Sequence, residues 1–349
     1  MMGDFENDRV ISPEQYGDDT DQEYSLRPTT LDEFIGQDKL KNSLLIYLEA
    51  AKKRNEPLDH VLLSGPPGLG KTTLAHIISN SMDSKLSVSS GPTLEKPSEL
   101  ASLLTNLGGK DVFFIDEIHR LKSIVEEYLY PAMEDYKIDI ILGSGPSAES
   151  IRLDLKKFTL VGATTRSGML TSPLRDRFGL SFRLNPYTKK DLQQILTRSA
   201  NILGTEYTPE GISSISGRCR GTPRVANRIL RRCRDVAQVR GKGIIDEAIA
   251  LKTLDMLGID SLGLDEMDRK ILNTIMQKFD GQPVGLTTLG AAVGEEIETL
   301  EEVYEPYLIQ CGLLKRTPRG RVATRSAYTH LGFPIPDNAT KDNQGNLFK

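Results

Sequence analysis

The sequence has few of the features that mark membrane or secreted proteins. No apolar run approaches the ~20 residues that span a bilayer, and the acidic amino terminus lacks the pattern of a signal peptide. Only three cysteines occur, Cys219, Cys233 and Cys311, and neither their odd number nor their spacing fits a disulfide framework or a metal site. These absences predict a protein of the reducing cytoplasm without a membrane partner.

The chain also lacks an excess of positive charge, and this lack alone would disfavour nucleic acid as a partner. Its 349 residues carry a formal net charge of −4. Residues 1–24 hold eight acids against the single Arg9, a net of −7, so the remainder carries +3. We therefore predict a poorly ordered acidic leader, to which we assign no function, ahead of a mildly basic body.

Residues 61–73, VLLSGPPGLGKTT, read as an apolar strand that runs directly into a phosphate-binding loop. The pattern G-x-x-x-x-G-K-[ST] is met by Gly65, Gly70, Lys71 and Thr72. Glycines, including Gly68, let successive backbone N–H groups turn toward phosphate oxygens, and the helix that follows adds its positive end. A Gly/Pro-rich turn before a helix is the competing interpretation, but the strand–loop–helix context favours the phosphate loop.

A second motif, VFFIDEIHR, lies about forty residues further on. Its apolar part predicts a buried parallel strand that ends in Asp116 and Glu117. The carboxyl ends of such strands hold ligands in open α/β sheets. Asp116 suits a Mg²⁺ shell and Glu117 suits a general base that polarises water. We interpret His119 as structural, because its spacing indicates no metal site.

The order of predicted elements indicates the fold class: α/β, a P-loop parallel sheet with helices on both faces, followed by a helical lid and a winged helix. We predict the large domain over residues 25–187, the helical domain over 188–260, the winged helix over 261–336 and a polar tail over 337–349. Within the large domain, 138–142 and 151–155 predict a β-hairpin with a long tip.

Three further positions are candidates for completing the site. Thr165 follows a buried strand, where its hydroxyl either senses the γ-phosphate or caps a turn. Arg177, near Arg175, is either an ordinary surface arginine or one that meets a neighbour's nucleotide. Arg224 opens a helix in the small domain, from which it could close onto bound phosphates.

From about residue 24 to 333 the chain resembles the AAA+ ATPases, and among them the bacterial Holliday-junction branch-migration motors. Eight stretches carry the resemblance: RPTTLDEFIGQ, GPPGLGKTTLA, FFIDEIHRL, the hairpin after MEDY, GATTR, PLRDRFG, GTPR and TPRGR. The resemblance implies ATP and Mg²⁺ as cofactors. It implies metal binding by Thr72 and Asp116, γ-phosphate sensing by Thr165, and a finger acting in trans at Arg177. The nucleotide contacts it implies are Leu26, Arg27, Gly68, Leu69, Gly70, Lys71, Thr72, Thr73, Glu134, Asp135, Tyr136, Arg177, Tyr187 and Arg224.

The resemblance also implies partners. It predicts a homohexameric ring, double-stranded DNA at four-way junctions, a RuvA-type junction-binding protein on the hairpin 138–155, and a RuvC-type resolvase acting indirectly. The hairpin's apolar strands independently favour an interface, although packing inside its own ring is the alternative. The implied activity is an ATP-driven motor for homologous recombination and DNA repair.

DNA contact is predicted at the wing of the winged helix. No acid occurs between Pro306 and Pro336, whereas Arg316, Arg319 and Arg321 lie on or beside the wing. The helix before the wing is rich in glutamate, which disfavours its entry into the major groove, so we predict backbone contact without base readout. A protein–protein module is the alternative for this domain. For the whole chain, the alternative to a motor is a nucleotide-controlled DNA-binding switch or loader.

Overall fold

A computed structural model describes residues 25–142 and 149–335 of the chain. These residues form two compact units. The first reaches to Ile202 and also includes Gly221–Arg224, and the second comprises Leu203–Arg220 and the residues from Val225 onward. The predicted acidic leader, the hairpin tip at 143–148 and the polar tail lie outside the described residues.

The first unit is built on a five-stranded parallel sheet with the strand order β2-β3-β6-β1-β7. Alternating strands and helices along the chain produce this arrangement, because parallel strands need a crossover between them. The strands are β1 (Val61–Ser64), β2 (Leu86–Ser90), β3 (Val112–Asp116), β6 (Thr159–Thr164) and β7 (Leu180–Arg183). The parallel P-loop sheet predicted from the sequence is thus confirmed.

Helices in the described part of the first unit join or flank these strands. They are α1 (Asp38–Arg54), α2 (Lys71–Ser81), α3 (Pro97–Thr105), α4 (Ser123–Glu134), α5 (Ser172–Asp176) and α6 (Lys189–Ile202). Consecutive residues Phe113 and Phe114 of β3 are both fully buried, which shows that the middle of the sheet is covered on both faces. Thr188 caps α6, accepting a hydrogen bond from the Asp191 N–H at 3.1 Å.

An antiparallel hairpin, β4 (Lys137–Leu142) and β5 (Glu149–Asp154), projects from the end of α4. Ile138 lies opposite Leu153 and Ile140 lies opposite Ile151. Ile138 is buried in the core of the unit, Ile140 and Leu153 pack against that core, and Ile151 is 41% exposed. The hairpin predicted from the sequence is confirmed, and Ile151 is the most exposed of these four apolar residues.

The second unit begins with helices α7 (Pro209–Ser216), α8 (Pro223–Arg240, from Val225 in this unit) and α9 (Glu247–Met256). A short parallel pair, β8 (Glu206–Tyr207) and β9 (Ile244–Ile245), lies among them, although the sequence predicted no strands here. The helix α6, predicted as part of this helical domain, groups with the first unit. Its Leu192 and Leu196 are buried there.

The winged helix completes the second unit. Helix α10 (Glu266–Asn273) continues through a π-helical turn at Thr274–Lys278, and α11 (Leu286–Val293) follows. The glutamate-rich helix predicted before the wing consists of α12 (Ile297–Thr299), a π-helical turn at Leu300–Tyr304 and α13 (Glu305–Gln310). Strands β10 (Leu314–Thr317) and β11 (Gly320–Ala323) form the wing, and α14 (Arg325–Leu331) ends the described fold.

The helical and winged-helix parts of the second unit are held together by a buried ion pair. The Arg220 guanidinium bonds to the fully buried Asp268 and lies 4.8 Å from the Tyr307 ring centroid. On the other side of the same junction, His330 meets Asp260 at 2.8 Å. Removing one partner of such a buried pair leaves an uncompensated charge, so these contacts make the two parts one compact body.

Candidate functional site

The strand order brings three predicted motifs to one end of the sheet. We call the end at which the parallel strands finish the carboxyl end, and the opposite one the amino end. Because β1 and β3 both lie next to β6, the phosphate loop after β1, the Asp116–Glu117 pair after β3 and Thr165 after β6 all converge there. This clustering is the arrangement that the sequence predicted.

The phosphate loop depends on its glycines. Gly65, Gly68 and Gly70 have φ values of 140°, 74° and 102°, in the region that favours glycine. A Cβ atom on Gly65 would lie 2.5 Å from the Leu184 carbonyl oxygen, and one on Gly68 would lie 2.7 Å from Thr222 Cγ2. Since Gly70 stands at the N-cap of α2, no side chain occupies the N–H groups of that helix's first turn. The loop therefore presents backbone donors to an anion.

Lys71 lies buried within this loop. Its Nζ donates to the carbonyl oxygens of Gly65 at 2.8 Å and Pro66 at 3.0 Å. Burial lowers the pKa of Lys71 to about 8, although the nearby Asp116 and Glu117 carboxylates act to raise it. A buried ammonium with so low a pKa is a group whose charge an arriving polyphosphate would stabilise.

Hydrogen bonds connect the predicted carboxylate pair to Thr165. The Thr165 hydroxyl donates to Glu117 Oε2 at 3.1 Å, and the Glu117 N–H donates to Asp116 Oδ1 at 2.9 Å. Burial and the Asp116 charge raise the pKa of Glu117 above its ordinary value. A carboxylate with raised proton affinity suits the role of a base.

His119 is a member of this cluster that the sequence analysis set aside as structural. Its Nδ1 lies 2.9 Å from the Thr164 hydroxyl and 3.3 Å from Glu117 Oε2. It therefore contacts both Glu117 and the last residue of β6. The available signal was its position two residues after Glu117, on the 3₁₀ turn Ile118–Arg120 that follows β3.

The segment carrying Arg224 lies against the phosphate loop. The Arg224 N–H approaches the Gly68 carbonyl oxygen at 3.5 Å. The Arg224 charge also acts to lower the pKa of Lys71, so it is felt at the phosphate site. Tyr187 closes the other side of the loop, where its hydroxyl donates to the Leu69 carbonyl oxygen at 3.1 Å.

Leu26 and Arg27 belong to the same neighbourhood. Leu26 is 3% exposed, and its carbonyl oxygen accepts a hydrogen bond from Arg198 Nη1 at 2.8 Å. Burial lowers the pKa of His76, on the helix after the phosphate loop, and the nearby positive charge of Arg27 lowers it further. Of these two predicted nucleotide contacts, Leu26 thus bonds to α6 and Arg27 lies near α2.

The residues 134–136, which the resemblance places among the nucleotide contacts, lie at the amino end of the sheet in their own chain. Tyr136 packs edge-on against Phe158, with ring centroids 5.8 Å apart, and tilted against His60 at 6.2 Å. His60 and Phe158 immediately precede β1 and β6. The chain therefore separates Glu134, Asp135 and Tyr136 from its own phosphate loop, because both flank the same sheet at opposite ends.

Arg177 lies at the amino end as well. It precedes β7, and its Nη2 pairs with Glu134 Oε1 at 3.0 Å. The four residues of β1 span ~13 Å, and the phosphate loop begins beyond their far end. Arg177 thus groups with Glu134 and away from Lys71 of the same chain.

The phosphate site fits a magnesium nucleotide. Thr72 and Asp116 offer the hydroxyl and carboxylate oxygens that Mg²⁺ takes together with substrate phosphates. In residues 25–142 and 149–335, no group of three or more His, Cys, Asp or Glu side chains could hold a metal alone. The same residues contain no helix with the length and apolar content of a membrane span.

The wing arginines are arranged around one buried acid, which the sequence did not reveal. Arg316 and Arg321 lie opposite each other across β10 and β11, and both guanidinium groups bond to Glu305, which is 3% exposed. The four donor–acceptor distances run from 2.7 to 3.1 Å. Burial alone would raise the pKa of Glu305, but the hydrogen bonds from both arginines outweigh it and lower that pKa. Arg319 lies exposed on the turn between the two strands.

Comparison with known proteins gives three successive family matches. Residues 26–184 match the P-loop domain of the Holliday junction DNA helicase RuvB. Residues 187–260 match the RuvB AAA lid domain, and residues 261–332 match the RuvB C-terminal winged helix domain.

Solved structures of Thermotoga maritima RuvB are similar over most of the chain. The structure described as the Holliday junction branch migration motor is 51% identical, with a TM-score of 0.82, and the match covers 89% of this chain and 100% of that one. A single-residue variant of the same protein is 52% identical, with a TM-score of 0.83, over 89% of this chain and 99% of that one.

The low pKa of Lys71 predicts that nucleotide binding takes up a proton at alkaline pH. At pH 8.5, above a pKa of about 8, most unliganded lysines are neutral, so binding a magnesium nucleoside triphosphate should take up a proton. At pH 7 the lysine is already charged and the uptake should vanish. Titration calorimetry in buffers of different ionisation enthalpy measures this number of protons.

The matched control is Lys71→Arg, whose guanidinium stays charged at both pH values. It should bind nucleotide without proton uptake at pH 8.5. Equal uptake by the parent protein and Lys71→Arg would show that another group titrates.

Proposed function

The chain belongs to the RuvB family, and from that membership we propose that it is an ATP-driven motor of Holliday-junction branch migration. The observation that carries the proposal is the hydrolytic centre. Lys71, the Asp116–Glu117 pair and Thr165 converge at one end of the sheet, and Glu117 bonds to Thr165 at 3.1 Å. A protein that only bound nucleotide would not need this second carboxylate.

In the proposed reaction, water attacks the γ-phosphorus of ATP and the bond to the bridging oxygen breaks, giving ADP and inorganic phosphate. Glu117 orients the water and accepts its proton, for which its raised pKa suits it. Lys71 and the loop N–H groups stabilise the phosphate oxygens. Mg²⁺, held by Thr72 and Asp116, would neutralise charge on the phosphates. Thr165 reports the state of the γ-phosphate to Glu117.

We propose that the working assembly is a homohexameric ring in which Arg177 acts in trans. Arg177 lies at the amino end of the sheet, with Glu134, and its own phosphate loop lies at the carboxyl end. A neighbouring subunit that docked its carboxyl end against this surface would receive Arg177 and Glu134 beside its nucleotide. Such a finger stabilises the charge that develops during phosphoryl transfer. Arg224, from the same chain as the loop, would act as the sensor in cis.

The proposed DNA contact is the wing, with Arg319 at its tip and Arg316 and Arg321 on its strands. Arginines neutralise backbone phosphates and release counterions, which gives binding without sequence preference. The ion pairs to Glu305 leave the Nη1 groups of Arg316 and Arg321 unused by these bonds. A motor that moves along any duplex requires such contacts.

The hairpin 138–155 is the proposed contact for a RuvA-type junction-binding protein. The supporting observation is that Ile151 is 41% exposed, whereas Ile138, Ile140 and Leu153 on the same side of the hairpin pack in or against the core. We propose that a RuvC-type resolvase meets the motor only through the junction. The cytoplasm is the proposed location, in keeping with the free thiols of Cys219, Cys233 and Cys311.

The test of the function is ATP-dependent dissociation of a synthetic four-way junction, with and without a RuvA-type protein. The parent chain should drive partner-stimulated migration. Glu117→Gln should bind ATP and assemble as the parent does, because Gln keeps the shape of the side chain, yet its hydrolysis should fall by a factor on the order of 10²–10⁴ because the base is lost.

Lys71→Ala serves as the control that cannot hold the phosphates. Hydrolysis that DNA stimulates without any junction movement would favour a switch or loader. Unchanged turnover in Glu117→Gln would reject the assignment of the base.

The ion pairs of the wing predict that removing the negative charge of Glu305 weakens DNA binding. Glu305→Gln removes one acid beside the wing, which by charge alone would strengthen binding. However, the amide keeps one oxygen acceptor for two guanidinium groups. Each lost hydrogen bond to a charged group costs the wing ~1.5–3 kcal/mol of stability, so affinity for duplex DNA should fall several-fold. Fluorescence anisotropy over a range of salt concentrations measures it.

Glu298→Gln is the matched control, because it removes the same charge from an exposed position on the preceding helix. It should leave affinity unchanged or slightly higher. If Glu305→Gln behaves like Glu298→Gln, the ion pairs do not shape the DNA contact.

A further inference from the structure

One face of α4 holds Arg177 through three side chains spaced four residues apart. Glu126, Tyr130 and Glu134 follow one another at this spacing, which aligns side chains along a helix. The Arg177 guanidinium lies 4.3 Å from the centroid of the Tyr130 ring. It also pairs with Glu134 at 3.0 Å and donates from Nη1 to the Pro173 carbonyl oxygen at 2.6 Å. The guanidinium is thus fixed from three directions.

Tyr130 is itself held in place by the acid one turn earlier. Its hydroxyl donates to Glu126 Oε1 at 2.6 Å, and Glu126 is 8% exposed. The same Oε1 accepts a hydrogen bond from the Thr171 hydroxyl. Thr171 is the N-cap of α5, the helix that ends at Arg177. One buried carboxylate therefore ties the aromatic ring to the start of the helix that carries the arginine.

These contacts restrict a side chain that otherwise has many rotamers. A long arginine loses substantial conformational entropy when it must meet a phosphate, and pre-orienting it removes that cost from the reaction. An aromatic ring is suited to this task, because it holds the guanidinium plane without neutralising the charge. The ion pair with exposed Glu134 is the weaker restraint, since surface ion pairs contribute little.

We propose that Glu126 and Tyr130 are positioning residues, which hold Arg177 in the orientation that it needs to act on the nucleotide of a neighbouring subunit. The proposal rests on the trans role of Arg177 set out above. It assigns a function in catalysis to a helix face at the amino end of the sheet, remote from the chain's own phosphate loop.

The test measures ATP hydrolysis by full-length variants, alone and in mixed rings. Tyr130→Leu should lower kcat by about 2- to 30-fold, the range that a cation–π contact supplies. Its KM for ATP should stay unchanged, because its own phosphate loop is intact. Tyr130→Phe keeps the ring over Arg177 and should fall less. Glu127→Gln, on the exposed side of the same helix, is the matched control and should equal the parent.

Rings mixed from two variants show whether the loss of hydrolysis in Tyr130→Leu arises between neighbouring subunits. Tyr130→Leu subunits have a sound phosphate loop, so Lys71→Ala subunits, which keep a well-oriented Arg177, should restore their hydrolysis. Arg177→Ala subunits should not. Failure of Lys71→Ala to rescue Tyr130→Leu, while it rescues Arg177→Ala in the same conditions, would overturn the positioning role.

The same series separates this proposal from the function on which it rests. If Lys71→Ala rescues neither variant although mixed rings form, the trans role of Arg177 fails and the positioning role fails with it. A Tyr130→Leu protein that raised KM at constant kcat would also overturn the proposal, because the residue would then serve its own nucleotide site.

Discussion

The polarity of the parallel sheet is the constraint on which the rest of this structure depends. In a parallel sheet, the loops that bind ligands follow the carboxyl ends of the strands, and the segments that lead into the strands lie at the opposite end. Lys71, Glu117 and Thr165 lie at the carboxyl end, whereas Arg177 and Glu134 lie at the amino end. A single chain therefore holds its phosphate loop and Arg177 at opposite ends of one sheet, and in the homohexameric ring that we propose a neighbouring subunit would bring them together.

The cost of burying charged groups at the carboxyl end of the sheet is a second constraint. Burial lowers the pKa of Lys71 to about 8, and the charge of Arg224 lowers it as well. Two carboxylates oppose this effect, and the pKa of one of them, Glu117, is raised by burial and by its neighbour. The site thus concentrates groups that are costly to bury in their charged forms. A magnesium nucleotide carries charges of both signs and would therefore stabilise the charged forms of these groups. Nucleotide binding and the protonation of these groups are thus linked.

The sequence was most informative where function depends on local geometry. The phosphate loop, the strand ending at Asp116, the hairpin and the wing each follow from residues that are close together in the chain, and the structure contains all four. The contacts that it did not reveal join distant residues. The glutamates of the helix before the wing were expected only to repel DNA, but Glu305 bonds to Arg316 and Arg321, and Glu134 pairs with Arg177, which lies 43 positions further along the chain. Tertiary packing decides such pairs, and no spacing rule gives them.

The most direct test of this account is the specific rate of ATP hydrolysis measured against protein concentration, with the mass of the assembly followed by sedimentation in the same solutions. Because the proposed ring completes each site with Arg177 of a neighbour, turnover per subunit should rise with the assembled fraction and level off when assembly is complete. A monomer that hydrolyses ATP as fast per subunit as the assembly would contradict the account, since Arg177 would then have no role in trans.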